Sequence, residues 1–414
     1  MLDRFLASNV AWSMLNHLLS RGSMMLAAIL LARHFNTREF ASYNYFQLTA
    51  SMLATYAAMG LGTAAAKFFA EHVHQSADPK NPSVIGILWI GSLILSCVAA
   101  VIVLVLPKDW LAPGVDLPKW LLAAGVLIMS LQAIPNGAMQ GLEEFKSAAK
   151  IAVGTSIAML GGTLVAVALD SITFAMAVLV LATMVQVVGV LTVVLRRTGP
   201  AAFATGFPIR WVRIRAILDV SIPLAANGMI VAAGVWILGR IILSGPGGDH
   251  AFALYSIGMQ WFALAMFLPG NMGSVFLPRM VKQAIAQADS RPFVRKAIAA
   301  TLAASVSVAA VGVVIGPIAL RMYGDQYGAE TWVIAAYLGA AVAAAPIILL
   351  GNALLAHGAH WKRLGLMMMW AVVLIAGAYV VRSSVVYGGA IAMGIAYGSL
   401  AVAMLIVAKR MEIA

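Results

Sequence analysis

The chain has 414 residues, of which 62% are hydrophobic and 10% charged, with a formal net charge of +12. A soluble domain is about 45–50% apolar and about 25% charged, so the composition excludes a water-soluble globule and a disordered chain. A single cysteine excludes a disulfide scaffold, and an outer-membrane barrel would give a much weaker hydropathy signal. What fits is an all-α polytopic membrane protein, in which twelve spans of about 20 residues each would use nearly all the apolar residues.

Charge-free runs locate the spans, because a charge at mid-bilayer is expensive. The first span, 5–32, is long enough but is interrupted by Arg21. Uninterrupted runs follow at 40–66, 81–107, 120–142, 151–169, 171–195, 220–239, 250–278, 297–320, 331–361, 364–381 and 383–408. The loops are short, and no cleaved signal peptide is expected. The predicted organisation is a six-span bundle over 1–197, a linker over 198–215 and a second six-span bundle over 216–414. The 210–217 stretch mixes Arg210, Arg213 and Arg215 with Trp211, Val212, Ile214 and Ile217, as an interfacial amphipathic segment would. Cys97, inside the third span, reads as a packed, inert thiol.

Lys and Arg placement sets the orientation. With the N-terminus in the cytoplasm, 19 of the 27 cations fall on cytoplasmic segments and 7 outside. Both termini are therefore expected in the cytoplasm. The net charge then faces an anionic leaflet, and no nucleic-acid partner is needed to explain it.

The two halves repeat. Phe40-Ala41-x-Tyr43 recurs as Phe252-Ala253-x-Tyr255, an offset of 212 that also pairs Lys67 with Arg279. Asn136, Phe145 and Lys146 pair with Asn352, Trp361 and Lys362 at an offset of 216. Phe174 pairs with Tyr387 and Arg197 with Arg410 at 213. Six is even, so both halves start on the same side. Parallel repeats of this kind occur in rocking transporters with a site near mid-membrane.

Polar residues mark that site. Ser13, His17 and Arg21 are spaced i, i+4, i+8 along one helical face. At 1.5 Å per residue Arg21 lies roughly 16 Å from either surface, too deep to snorkel. It must face a wet cavity, an anionic ligand or a protein acceptor, and no other span has an Asp or Glu near its middle. Span two carries Asn44, Gln47, Ser51 and Thr55 on one face, and span four carries Gln132, Asn136 and Gln140. In the second half, Asn227 lies in span seven, Gln260 and Asn271 in span eight and Asn352 in span ten. The alternative reading of these amides is interhelical hydrogen-bond glue. Gln186, in span six, falls outside the pattern. Arg240, near the outer end of span seven, is a candidate for the outward mouth or an interfacial anchor. His17 is either a packing histidine or a proton-handling group.

There is no P-loop, dinucleotide turn or Cys/His metal spacing, so no cofactor or metal is expected. The acid pair Glu143-Glu144 reads as a solvated helix end. No loop is long enough for a catalytic domain, which argues against an enzyme.

The stretch Leu31-Ala32-Arg33-His34-Phe35-Asn36-Thr37-Arg38-Glu39-Phe40-Ala41-Ser42-Tyr43, followed by Gly60-Leu61-Gly62-Thr63-Ala64-Ala65-Ala66-Lys67-Phe68-Phe69-Ala70-Glu71, resembles the opening of the Wzx-type polysaccharide-biosynthesis flippases. These belong to the multidrug/oligosaccharidyl-lipid/polysaccharide (MOP) exporter superfamily. Ser221-Ile222-Pro223-Leu224 resembles the start of their second half, and Leu268-Pro269 with Leu277-Pro278-Arg279 resembles its second helix. The Gly-Pro common in the family before Glu-Phe-x-x-Tyr is replaced by Asn36-Thr37.

The resemblance implies a V-shaped, MATE-like pair of six-helix bundles in the bacterial inner membrane. It implies translocation of polyprenyl-diphosphate-linked oligosaccharides to the outer leaflet by alternating access, for O-antigen, capsule or exopolysaccharide. Arg21 fits the place of a cavity cation in the first helix of such flippases. Other polysaccharide-assembly proteins and a coupling ion, H⁺ or Na⁺, would be partners. The rival readings are a cation-coupled multidrug antiporter of the same superfamily, which needs membrane-embedded acids, and a membrane-embedded polymerase or ligase.

Overall fold

The computed structural model describes residues 2–74, 85–112, 114–199, 211–285, 291–381 and 386–413. Among them there is no strand. In lipid every backbone N–H and C=O must be satisfied within the protein, and helices do this segment by segment. The helices are α1 Leu2–His34, α2 Thr37–Ala58, α3 Leu61–His74, α4 Ile85–Val105, α5 Lys108–Leu111, α6 Lys119–Leu131, α7 Ala133–Gly141 and α8 Phe145–Ala168. They continue as α9 Ile172–Thr198, α10 Trp211–Leu243, α11 Gly248–Ala265, α12 Phe267–Ile285, α13 Arg291–Met322, α14 Val333–Ala356, α15 His360–Val380 and α16 Gly388–Arg410.

Eleven stretches among the described residues are long and apolar enough to cross a membrane. They correspond to eleven of the twelve expected spans. The remaining one, 40–66, is two helices, α2 and α3, joined at Met59 and Gly60 with φ of 42° and 70°. α2 has the length of a span, 22 residues, but its apolar surface is broken by Asn44, Gln47, Ser51 and Thr55. It starts at a capping box: the Glu39 N–H donates to Asn36 Oδ1 at 2.9 Å, and the Asn36 N–H donates to Glu39 Oε2 at 3.2 Å. Asn36 thus supplies the cap.

The chain divides into two compact units, Met1–Ala232 and Ala233–Ala414. The division falls inside α10, which also contains Pro223. Residues 200–210 of the expected linker lie outside the described residues. From Trp211 onward the expected amphipathic segment forms the first turns of α10.

In the first unit α1 packs along α8. Ala27, Ala28, Leu31 and Ala32 are buried on α1, and Ala149, Ala152, Ser156 and Met159 on α8. Small residues let the backbones approach, as in membrane helix pairs generally, and Ser156 Oγ donates to the Leu19 carbonyl at 3.1 Å. α3 meets α7 more closely still. A Cβ on Gly137 would collide with the Gly62 carbonyl, and one on Gly62 would come within 2.9 Å of the Ala133 carbonyl. α4 turns Leu93, Ile94, Val98 and Val101 outward. Cys97 lies on that outward apolar face and is exposed, not packed as expected. A helix that is apolar all round gives no sequence mark of which face is covered.

Glu144 also departs from expectation. Its side chain is only 14% exposed, pairs with Arg197 in the last turn of α9, and accepts from Ser147 Oγ at 2.6 Å. In the second unit α14 is central, packing against α11, α12, α13, α15 and α16. Tyr337, Leu338, Ala345, Leu349 and Ala353 of α14 are buried, as is Trp370 of α15. The Tyr255 hydroxyl donates to the Val235 carbonyl at 3.2 Å.

The α3–α7 approach gives a test. Gly137→Val should destabilise the purified protein by about 1–3 kcal/mol, the usual cost of overpacking. Gly154→Ala, where nothing lies within 4 Å of the added Cβ, should leave the thermal midpoint in detergent unchanged or slightly raised.

Candidate functional site

An open cavity of about 650 Å³ lies within the first unit. α1 supplies Asn16, His17, Ser20 and Arg21, one turn and a half of a single face. α2 supplies Gln47, Ser51 and Thr55, again at helical spacing. Gln132 sits where α6 ends and α7 begins, and Asn136 follows one turn later. Thr63 of α3 and Thr183 and Gln186 of α9 complete the polar wall. Gly60, Ala225 and Gly228 line its edge. At Gly60 the backbone comes so near α10 that a Cβ would stand 2.5 Å from the Ser221 carbonyl; positive φ and this approach together require glycine there.

Among the described residues, Arg21 is the one Lys or Arg lining the cavity, and no carboxylate lines it. Arg21 is an exposed residue on the face of α1 that lines the cavity. The Thr55 and Thr183 hydroxyls donate to the carbonyls of Ser51 and Leu179, each at 2.8 Å, within their own helices. Their oxygens are thereby left as acceptors. The wall thus combines one five-donor cation with amides that both donate and accept. That chemistry suits a ligand bearing an anionic group and many hydroxyls.

Of the residues predicted from sequence, the structure brings His17, Arg21, Gln47, Gln132 and Asn136 to this cavity. Ser13 shares their face of α1 but does not line it. Asn44 is buried and donates back to the Phe40 carbonyl at 2.8 Å. Asn227 stands between the lining residues on α10, with its Oδ1 buried and without a hydrogen-bond partner. Gln186, set aside in the sequence reading, lines the cavity, as do Asn16, Ser20, Thr63 and Thr183. Ser20, three residues after His17, and Asn16, four before Ser20, have the spacings that would have pointed to them.

The candidates of the second unit are occupied locally. Gln260 Oε1 accepts from the Tyr323 hydroxyl at 3.0 Å, and Asn352 Nδ2 donates to the Gly273 carbonyl at 3.0 Å. Asn271 Nδ2 donates to the Phe267 carbonyl at 2.8 Å. Arg240 lies 5.5 Å from the Trp236 ring centroid, in the last turn of α10. A cation there gains both from the ring face and from the negative end of the helix.

A family profile described as "Polysaccharide biosynthesis protein" matches residues 6–282. The EPS I polysaccharide export inner membrane protein EpsE of Ralstonia solanacearum is 21% identical over 370 residues, covering 87% of this chain and 83% of the relative. The protein of the same description from Ralstonia nicotianae is 22% identical over 378 residues, with the same coverage. An inward-facing MATE multidrug transporter of the MOP superfamily superposes with a TM-score of 0.73 at 14% identity, covering 94% of each chain. A MOP superfamily transporter from Pyrococcus furiosus, described as having reverse polarity of its binding pocket, gives 0.63 at 15% identity, over 97% of this chain and 94% of that one. At these identities the solved structures show a shared fold.

Cysteine scanning tests the cavity. In a Cys97→Ser background, Gln132→Cys and Gln186→Cys should react readily with a membrane-impermeant thiol reagent in purified protein, because reaction needs a hydrated thiolate. Asn44→Cys should stay protected until the protein is denatured.

Proposed function

The chain belongs to the polysaccharide biosynthesis protein family, and on that premise we propose that it is a flippase for polyprenyl-diphosphate-linked oligosaccharides destined for a cell-surface polysaccharide. The observation that carries the proposal is Arg21: an arginine on a membrane-spanning helix, lining a cavity whose described residues offer amides and hydroxyls but no carboxylate. Hydrogen bonds between guanidinium and phosphate oxygens are charge-assisted and can be bidentate. They supply an anchor for the diphosphate. Gln47, Gln132, Asn136 and Gln186 are placed to exchange hydrogen bonds with sugar hydroxyls. The polyprenyl tail stays in lipid.

The relatives named as polysaccharide export inner membrane proteins support export across the inner membrane. The shared fold with MOP transporters supports alternating access as the mechanism. The Lys and Arg distribution supports cytoplasmic termini. A cationic drug would find in this cavity a like charge rather than a counter-ion, which weighs against the antiporter reading. His17 is the cavity group that could carry a coupling proton.

Arg21→Ala should lower translocation of the lipid-linked oligosaccharide about tenfold or more, since a hydrogen bond to a charged group contributes about 1.5–3 kcal/mol. Arg21→Lys should retain an intermediate rate, keeping the charge but losing the fork. The check is surface polysaccharide or reconstituted flipping at matched membrane abundance. Wild-type rates in Arg21→Ala would refute the role.

A further inference from the structure

One turn occurs in both units with the same geometry and opposite chemistry. In the first unit Glu143 has φ 55°, and the N-cap Glu144 of α8 has φ −80° and ψ 42°, its N–H donating to the Met139 carbonyl at 3.0 Å. In the second unit Gly358 has φ 73°, and the N-cap Ala359 of α15 has φ −85° and ψ 42°, its N–H donating to the Leu354 carbonyl at 2.9 Å. The two turns thus match in dihedral angles and hydrogen bonding at an offset of 215 residues.

In the first unit the N-cap is a carboxylate, held between Arg197 of the following helix and Ser147. In the second unit the N-cap has no side-chain oxygen, yet the cations remain and multiply. His360, Lys362 and Arg363 occupy the first turn of α15, and Lys409 and Arg410 the last turn of its packed neighbour α16. Cations at a helix N-terminus oppose its dipole. Among the described residues, the carboxylate at this end of the unit is Glu412, and Arg291 already engages it at 2.6 Å. Arg363 lies with its guanidinium against the backbone of Gly351, where an added Cβ would stand 3.2 Å from Nε, and its Nε–H is buried without an acceptor. Trp361, beside these cations, is 81% exposed, as an anchor at the membrane interface would be.

We propose that the phosphate group of a membrane lipid occupies the place in the second unit that the Glu144 carboxylate holds in the first. Lys362 and Arg363 contact the phosphate oxygens, as Arg197 and Ser147 contact the Glu144 carboxylate in the first unit, and the tail runs past Trp361 into the bilayer. Two lipids carry this chemistry: an anionic phospholipid of the leaflet and the diphosphate of a lipid-linked glycan. The inference rests on the membrane reading of the chain and is independent of Arg21.

The test uses the full chain in nanodiscs of phosphatidylcholine alone, with added phosphatidylglycerol, or with added undecaprenyl diphosphate. Lipid retention is read by native mass spectrometry. Wild type should retain an anionic phosphate lipid about tenfold over phosphatidylcholine, whose phosphate is neutralised by its own choline, the size expected for a charge-assisted contact. Lys362→Gln and Arg363→Gln should each reduce the preference. Ala359→Glu should abolish it by supplying the missing carboxylate from within. Retention of phosphatidylglycerol assigns the site to bulk phospholipid; retention of undecaprenyl diphosphate alone assigns it to the substrate lipid. Lys362 is exposed, so its variant reads out the site even where Arg363→Gln folds poorly. No preference for either lipid in wild type, or an unchanged preference in Ala359→Glu and Lys362→Gln, would overturn the proposal. Because Arg21 is intact throughout, failure here leaves the flippase reading standing, and the export assay fails or succeeds separately.

Discussion

A guanidinium in the middle of a membrane-spanning helix cannot be left against hydrocarbon, and Arg21 stands on α1 with no carboxylate among the described residues of the cavity it lines. An arginine at the helix centre costs roughly 2.5–3.5 kcal/mol on insertion scales unless water, a ligand or protein groups receive it. The first unit meets that constraint by opening a polar cavity beside it. α1 is anchored on its other side by close packing of small residues against α8. One face of the helix is thus committed to protein and another to the cavity.

The cavity in turn sets demands on the helices around it. α2 presents a glutamine, a serine and a threonine to it, and so falls short of the apolarity of its neighbours. The chain breaks at Met59-Gly60 and again at Gln132, where α6 gives way to α7. Each break brings short helices, α3 and α7, to the wall. Their glycine contacts hold those short segments together where length alone would not. A break that frees backbone groups inside a membrane is tolerated only where protein or water satisfies them, and both breaks lie on the cavity wall.

Much of this was legible in the sequence. Charge-free runs located ten of the eleven candidate spans, the eleventh being the first, which Arg21 interrupts, because a charge in lipid is expensive whatever the tertiary context. Arg21 was legible for the same reason. The amides were harder. Gln260 and Asn352 have the same composition and spacing signals as Gln47 and Asn136, yet they bond to a tyrosine and a backbone carbonyl in their own unit. An amide satisfied by a neighbouring helix and one facing a cavity differ only in what lies opposite, and the sequence does not contain that. Gln186 was passed over because its helix lacks other strongly polar residues, although one amide facing inward suffices. Cys97 and Glu144 show the converse: burial was assigned from residue type, while the packing partner decides it.

On the proposed flippase reading, Arg21 is held ready in so apolar a chain to read the charge of a polyprenyl diphosphate. Direct binding tests this without reference to transport. A short-chain polyprenyl diphosphate and the corresponding uncharged polyprenol are titrated against purified wild type and Arg21→Gln. The account predicts that wild type binds the diphosphate about tenfold or more tightly than the alcohol, and that Arg21→Gln binds the two alike. Equal discrimination by both proteins would contradict it.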